Sequence, residues 1–434
     1  MERPSITPMP PMAEGASLPW DEPVDDAVAV IAEAREAVGD TFVLDSGVDR
    51  YVFTFSPAGV RNLYALPEDR ASKGMADWRM LRRKIPDELF SGRRTLPHDL
   101  FGRSDVLSYL ANVQAALASV IAELGSSGTI DVFDFTRRVG HRVGLASWGG
   151  PGSAASPTLE QLIAAFDALD GSESFVHPDA MAAVARSGKT AETAALGAVR
   201  ELLGVAVDTM DDAPAIAAQH PLFGRIADKW AAERRSIRRV GIADDVALVH
   251  IASMSNLFAA LGWALIDLFE HPVSRSRVAE GDAVWAERCA MESTRMAQRS
   301  IMSRYVVQPV MLDDGKHVYE VAPGATIATL LPVTNTTAAP GYATWDPSRW
   351  NRRRLADPAV LPTVELVTVF GHGKHTCPAQ AFSLAAMTAV MTKLVSTFEW
   401  RADWTSHPKP LPTQIGGVAR ADDRCLAAYC RMAD

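Results

Sequence analysis

Apolar positions recur at helical spacing through most of the chain, with short alternating stretches confined to the two ends and one central segment. Residues 28–37 read as a helix closed by Gly39-Asp40, and 41–44 with 51–55 alternate about Ser46-Gly47 as a hairpin does. Helix is predicted over 57–66, in part over 87–100, and more strongly over 104–124, where Gly125 ends it. The segment 130–148 runs to the break Gly149-Gly150-Pro151-Gly152, and 158–238 holds several alanine-rich helices with polar joints. A long apolar helix is expected over 244–271 and another over 273–297. Strand patterning follows at 305–310, 317–321 and 326–331. Helix returns over 378–397 and a strand-rich tail closes the chain. The pattern predicts a mainly α protein with a minor β part, one connected domain over 1–434 behind a proline-rich leader at 1–25.

Composition narrows the function. The 434 residues are 48% hydrophobic, enough for a large core, and the net charge of −9 opposes a nucleic-acid grip by the chain as a whole. The four cysteines form no CxxC pair, so neither a disulfide scaffold nor a multi-cysteine zinc site is expected, and a reducing, cytoplasmic compartment is. The leader has no apolar core that would make it a signal peptide or membrane anchor. Residues 246–269 reach membrane-spanning length, but His250, Ser253, Ser255 and Asn256 sit near the middle. A helix through the centre of a large soluble protein explains them better.

The segment Phe370-Gly371-His372-Gly373-Lys374-His375-Thr376-Cys377-Pro378 carries the most chemistry. Its glycines permit close backbone approach to something flat, and Cys377 precedes an apolar helix whose N-terminal N–H groups favour thiolate. Such a thiolate suits an axial position on haem iron; the plainer alternative is a buried structural cysteine beside a turn. The segment resembles the haem-binding loop of cytochromes P450: Phe370, Gly373, His375 and Cys377 fill four slots of its pattern, and Ala379 stands where glycine is usual.

Further motifs follow in the order of that family. Glu292-Ser293-Thr294-Arg295 places an acid and a base on one helical face. It resembles the family's core ion pair, with Arg349 of Trp345-Asp346-Pro347-Ser348-Arg349-Trp350 as its third member and a structural role for all three. The element Phe90-x-x-x-Arg94, followed by Phe101, is similar to the family's Trp-x-x-x-Arg. The resemblance then implies haem b (iron protoporphyrin IX) with Arg94, Arg304 and His375 at its propionates.

The central helix departs from the family. Where P450s place a small residue, an acid and a threonine over the haem, the register here gives Ala252, Ser255 and Asn256. Asparagine can hold a water yet cannot act as an acid at neutral pH. The Ala-Ser-x-x-Asn pattern is similar to that of cholesterol 7-alpha-hydroxylase and of prostacyclin synthase, a monooxygenase and an isomerase. The resemblance therefore implies a haem-thiolate monooxygenase acting on a lipophilic small molecule such as a steroid or terpenoid, fed by a ferredoxin or flavodoxin. Arg352, Arg353, Arg354 and Lys374 are candidates to meet that partner. An isomerase or dehydratase, a peroxide-driven oxygenase and a non-catalytic haem ligand-binding protein are the alternatives. Substrate contacts are expected in 75–90, 170–230, the central helix, around Met302 and at 414–417, with Phe175, Leu222 and Phe223 among the apolar candidates.

Overall fold

The computed structural model describes residues 5–7, 9–18, 22, 24–92, 97–170 and 178–433. Helices dominate, and the longest, Arg235–Glu270, runs through the middle of the structure. It packs against helices Val132–Trp148, Thr190–Asp212, Ala283–Ala297 and Gln380–Thr397. By length and composition alone the stretches 103–124 and 235–270 could cross a membrane, but 67% of the apolar window of the second is buried inside the protein.

The central helix begins at Arg235, well before its expected start at residue 244. Its first turns are charged, and they pair outward with neighbouring helices: Arg235 with Asp208, Arg239 with Asp208, and Asp244 with Arg200. Those ion pairs make a polar stretch helical that reads, in sequence, as a joint. The expected helix 273–297 is instead two helices, Pro272–Ala279 and Ala283–Ala297. Gly281, at φ +90°, turns the chain between them, and Asp282 caps the second through the Trp285 N–H.

The strands form small sheets at the margins. The largest has the order Thr41–Asp45, Arg50–Thr54, Thr326–Leu330, Ile301–Val306, Ala71–Ser72, with Val52 beside Ile327 in the single parallel pairing. In Ile301–Val306, Met302, Arg304 and Val306 all point inward, so the strand's period of two carries an arginine into the interior. A three-stranded sheet joins Ser127–Asp131, Leu426–Arg431 and Phe398–Ala402. The proline-rich leader is not a free tail over its described part. Ser5–Thr7 pairs in parallel with His317–Val321, Met12 bridges to Val43, and Leu18 is buried.

Candidate functional site

The cysteine loop is a closed backbone structure. The Phe370 carbonyl accepts from the Cys377 N–H at 2.6 Å, and the His372 carbonyl accepts from the His375 N–H at 3.0 Å. Gly371 has φ +79°, and a Cβ added there would stand 2.3 Å from the His375 carbonyl oxygen. Only glycine fits that position without rearrangement. Gly373 also has positive φ, whereas Ala379, at φ −84°, lies in a region open to any residue. The backbone therefore does not require glycine at 379.

Ala379 caps the helix Gln380–Thr397, and the N–H groups of Ala379 and Gln380 are directed at the Cys377 sulfur. Burial still outweighs them and holds the thiol above its ordinary pKa. Burial thus favours the thiol, while the two N–H groups would favour the thiolate once a cation met Sγ.

His375 turns the other way, onto the sheet. Arg304 is fully buried, and its Nη1 donates to His375 Nε2 at 2.9 Å, so the imidazole is neutral and uses Nε2 as acceptor. Burial and the adjacent guanidinium both hold His375 below its ordinary pKa. Arg304 also donates to the Ala71 carbonyl at 2.7 Å and to Glu68 Oε2 at 3.2 Å. Arg94 lies outside the described residues. Phe101 packs edge-on to Phe382 of the cysteine helix, 5.2 Å between ring centroids.

Behind the loop, Glu292 and Arg295 are both completely buried. Arg295 donates twice to Glu292, at 2.7 and 2.8 Å, and donates to the Asn335 and Tyr342 carbonyls at 2.6 and 2.8 Å. Glu292 accepts further from Trp350 Nε1 at 2.9 Å, the Asp346 N–H at 3.0 Å and Arg349 Nε at 3.3 Å. One carboxylate thus gathers the helix and the 346–350 loop. Two participants had no sequence signal as site residues, Trp350 and Asn335. The Asn335 side chain donates to the Arg295 and Thr368 carbonyls and accepts from the Thr368 N–H, joining the ion-pair helix to the strand-like run into the cysteine loop.

The central helix presents the opposite character. Within a helix otherwise largely buried, Ala252 and Asn256, one turn apart, are exposed, with Leu248, Val249, Ser253 and Ser255 half-buried beside them. The stripe is solvent-accessible although it lies near the middle of a helix packed by four others. Ser253 and Ser255 donate back to the helix carbonyls of Val249 and Ile251, at 2.6 and 3.3 Å. Asn256 Oδ1 accepts from the Val418 N–H at 3.0 Å, so it does not lie free. Leu222, Phe223 and Met302, named as substrate contacts, are instead buried in the core, and Phe175 lies outside the described residues.

No family model and no curated protein sequence matches this chain. Its structure is similar to the crystal structure of CYP175A1 from Thermus thermophillus, with a TM-score of 0.66 over 94% of this chain and 95% of that one, at 20% identity. That neighbour is a cytochrome P450. The chain has the cytochrome P450 fold.

Proposed function

We propose that this protein is a cytoplasmic haem-thiolate monooxygenase that inserts one oxygen atom of dioxygen into a lipophilic small molecule. The observation that carries the reading is the cysteine loop: one half-buried thiol facing two helix N-terminal N–H groups at the end of a glycine-bearing turn. Among the described residues no group of three or more His, Cys, Asp and Glu side chains could hold a metal ion. Haem b is the group that the resemblance to cytochromes P450 implies for Cys377. Were haem bound there, Arg304 and His375 would meet its anionic edge, and Gly371 and Gly373 would allow the close backbone approach it needs. Bound there, haem supplies dioxygen activation and oxygen-atom transfer.

The chain's own residues do the rest. The Ala379 and Gln380 N–H groups hold the thiolate charge, and the Glu292 network keeps the loop from shifting. Ala252 leaves room on the central helix. The second oxygen atom leaves as water, with two electrons from a ferredoxin or flavodoxin and two protons. Arg352, Arg354 and Lys374 are exposed cations on or near this loop, while Arg353 pairs with Glu287, and they suit an acidic partner.

The test is spectroscopic. The reduced protein with carbon monoxide shows the red-shifted band of a thiolate-ligated haem, and Cys377→His loses it. Retention of the band in Cys377→His overturns the assignment. A specific observation favours a second reading, an isomerase or peroxide-driven oxygenase: the exposed stripe of the central helix contains no carboxylate. Product formed from a hydroperoxide without reductant, and none with a reductase system, selects that reading.

A further inference from the structure

The polarity of the Asn256 amide is fixed by chemistry rather than by choice of orientation. Its partner, the Val418 N–H, can only donate, so the atom 3.0 Å away is the amide oxygen. The neighbouring Gly417 has φ +65°, and a Cβ there would lie 2.5 Å from that oxygen. Backbone and side chain are fitted to each other at this point.

The segment receiving Asn256 is held from three other sides. Arg299 exchanges backbone hydrogen bonds with Gly416 and Gly417 and donates its guanidinium to the Gln414 and Pro412 carbonyls. Gln298 bridges to Val418, and Trp263 Nε1 donates to the Ala419 carbonyl at 2.6 Å. Asn256 is the contact made from the exposed stripe of the central helix.

What remains of its hydrogen-bonding capacity is one-sided. Nδ2 has no hydrogen-bond partner among the described residues, while Ser253 and Ser255 have spent their hydrogens on helix carbonyls. Along this stripe the side chains offer lone pairs from two serines and free N–H bonds from Asn256 alone.

Resting on the monooxygenase reading, we infer that Asn256 is a positioning residue with two linked tasks. Its oxygen pins the 414–418 segment to the central helix. Its nitrogen, oriented by that bond, selects lipophilic substrates carrying a neutral oxygen acceptor, such as a ketone, ester or ether. A plain hydrocarbon leaves those N–H bonds unpaired, and desolvating an unmet donor disfavours it.

Three variants of the full-length haem-loaded protein separate the tasks. Asn256→Asp keeps an oxygen for Val418 and loses the donor; Asn256→Ala loses both; Gly417→Ala displaces the segment and leaves the donor. Amide hydrogen exchange at 417–419 rises about five- to tenfold in Asn256→Ala and Gly417→Ala, the loss of one net hydrogen bond, and stays within about twofold of wild type in Asn256→Asp. Unchanged exchange in Asn256→Ala overturns the pinning role. Optical titration then compares cyclododecanone with cyclododecane and 5α-androstan-17-one with 5α-androstane. The ketone-to-hydrocarbon affinity ratio falls about five- to tenfold from wild type to Asn256→Asp. An unchanged ratio, or no ketone response in the wild type, overturns the selection. The exchange measurement needs no turnover, so a failure of the monooxygenase assignment appears separately, in the carbon monoxide spectrum.

Discussion

The two sides of the site are built on opposite terms. On the cysteine side the buried charged groups described have partners: Glu292 collects five donors, Arg295 spans two carbonyls, and Arg304 is buried among His375, Glu68 and Ala71. On the central-helix side Asn256 stands half-committed on an exposed stripe. The first region behaves as a frame whose parts fail together, because each polar group is buried and satisfied by the next. The second hangs on one side-chain contact, Asn256 to the Val418 N–H, and its other positions tolerate exchange. Two departures from the P450 pattern, Ser255 and Asn256, lie on this stripe, while Ala379 departs within the frame at a position whose backbone is open to any residue.

The strongest way to break this contrast is Glu292→Ala. Removing one partner of a fully buried ion pair strands Arg295 and costs about 3–5 kcal/mol, with little folded protein recovered. Urea unfolding measures it, and a loss under about 1 kcal/mol would place the pair with ordinary surface bridges. Asn335→Ala comes next. It leaves the Arg295 and Thr368 carbonyls and the Thr368 N–H unmet, for about 1–3 kcal/mol by the same measurement.

A buried histidine pair and a buried carboxyl of the central helix act on stability through pH, with opposite signs. His250 lies 2.9 Å from His141, and burial holds both well below the ordinary histidine value, His250 at about 3. The unfolded chain takes up protons that the folded one refuses, so this contribution is present above pH 6.5 and lost as pH falls toward 3. Asp267 is buried, and desolvation pushes it up to about 7. Here the folded state holds a proton the unfolded one gives up, so stability falls as pH rises from 3.8 through 7. With two histidines against one carboxyl, wild-type stability still rises between about 4 and 6.5, less steeply than the histidines alone would make it. Asp267→Asn uncovers the histidine slope, with stability rising steadily over that interval. A falling or flat curve in Asp267→Asn would contradict the burial of the histidine pair.

The smallest effect is expected at Ser255. Its hydroxyl only returns to the Ile251 carbonyl, so Ser255→Ala changes stability by less than about 0.5 kcal/mol. A larger loss would mean that the exposed stripe is as interlocked as the frame.

The legible parts of the site were those whose residues are close in sequence. The cysteine loop is one short unbroken segment, the Glu292–Arg295 pair spans a single helical turn, and Arg349 sits within a tryptophan-flanked loop. Asn335 and the Asn256 attachment escaped because their partners are backbone atoms of distant segments, which leave no trace in residue type, and Arg299 because its carbonyl partners and Asp26 are equally remote in sequence. The helices were legible where their apolar stripe was continuous. They were misjudged where ion pairs made a polar stretch helical, as at Arg235, or where one glycine divided a continuous pattern, as at Gly281.

The strand Ser127–Asp131 has its hydrogen-bonding neighbour, Leu426–Arg431, at the far end of the chain. At about 5–20 residues per second, a ribosome needs roughly 15–60 s to make the intervening stretch of about 300 residues. For that interval the earlier strand has an open edge, and the helix Val132–Trp148 that follows it lacks its final neighbours. Closure of this sheet therefore waits on the later synthesis of its partner strand, and a chain terminated near residue 420 would keep the Ser127–Asp131 edge unpaired, a substrate for chaperones.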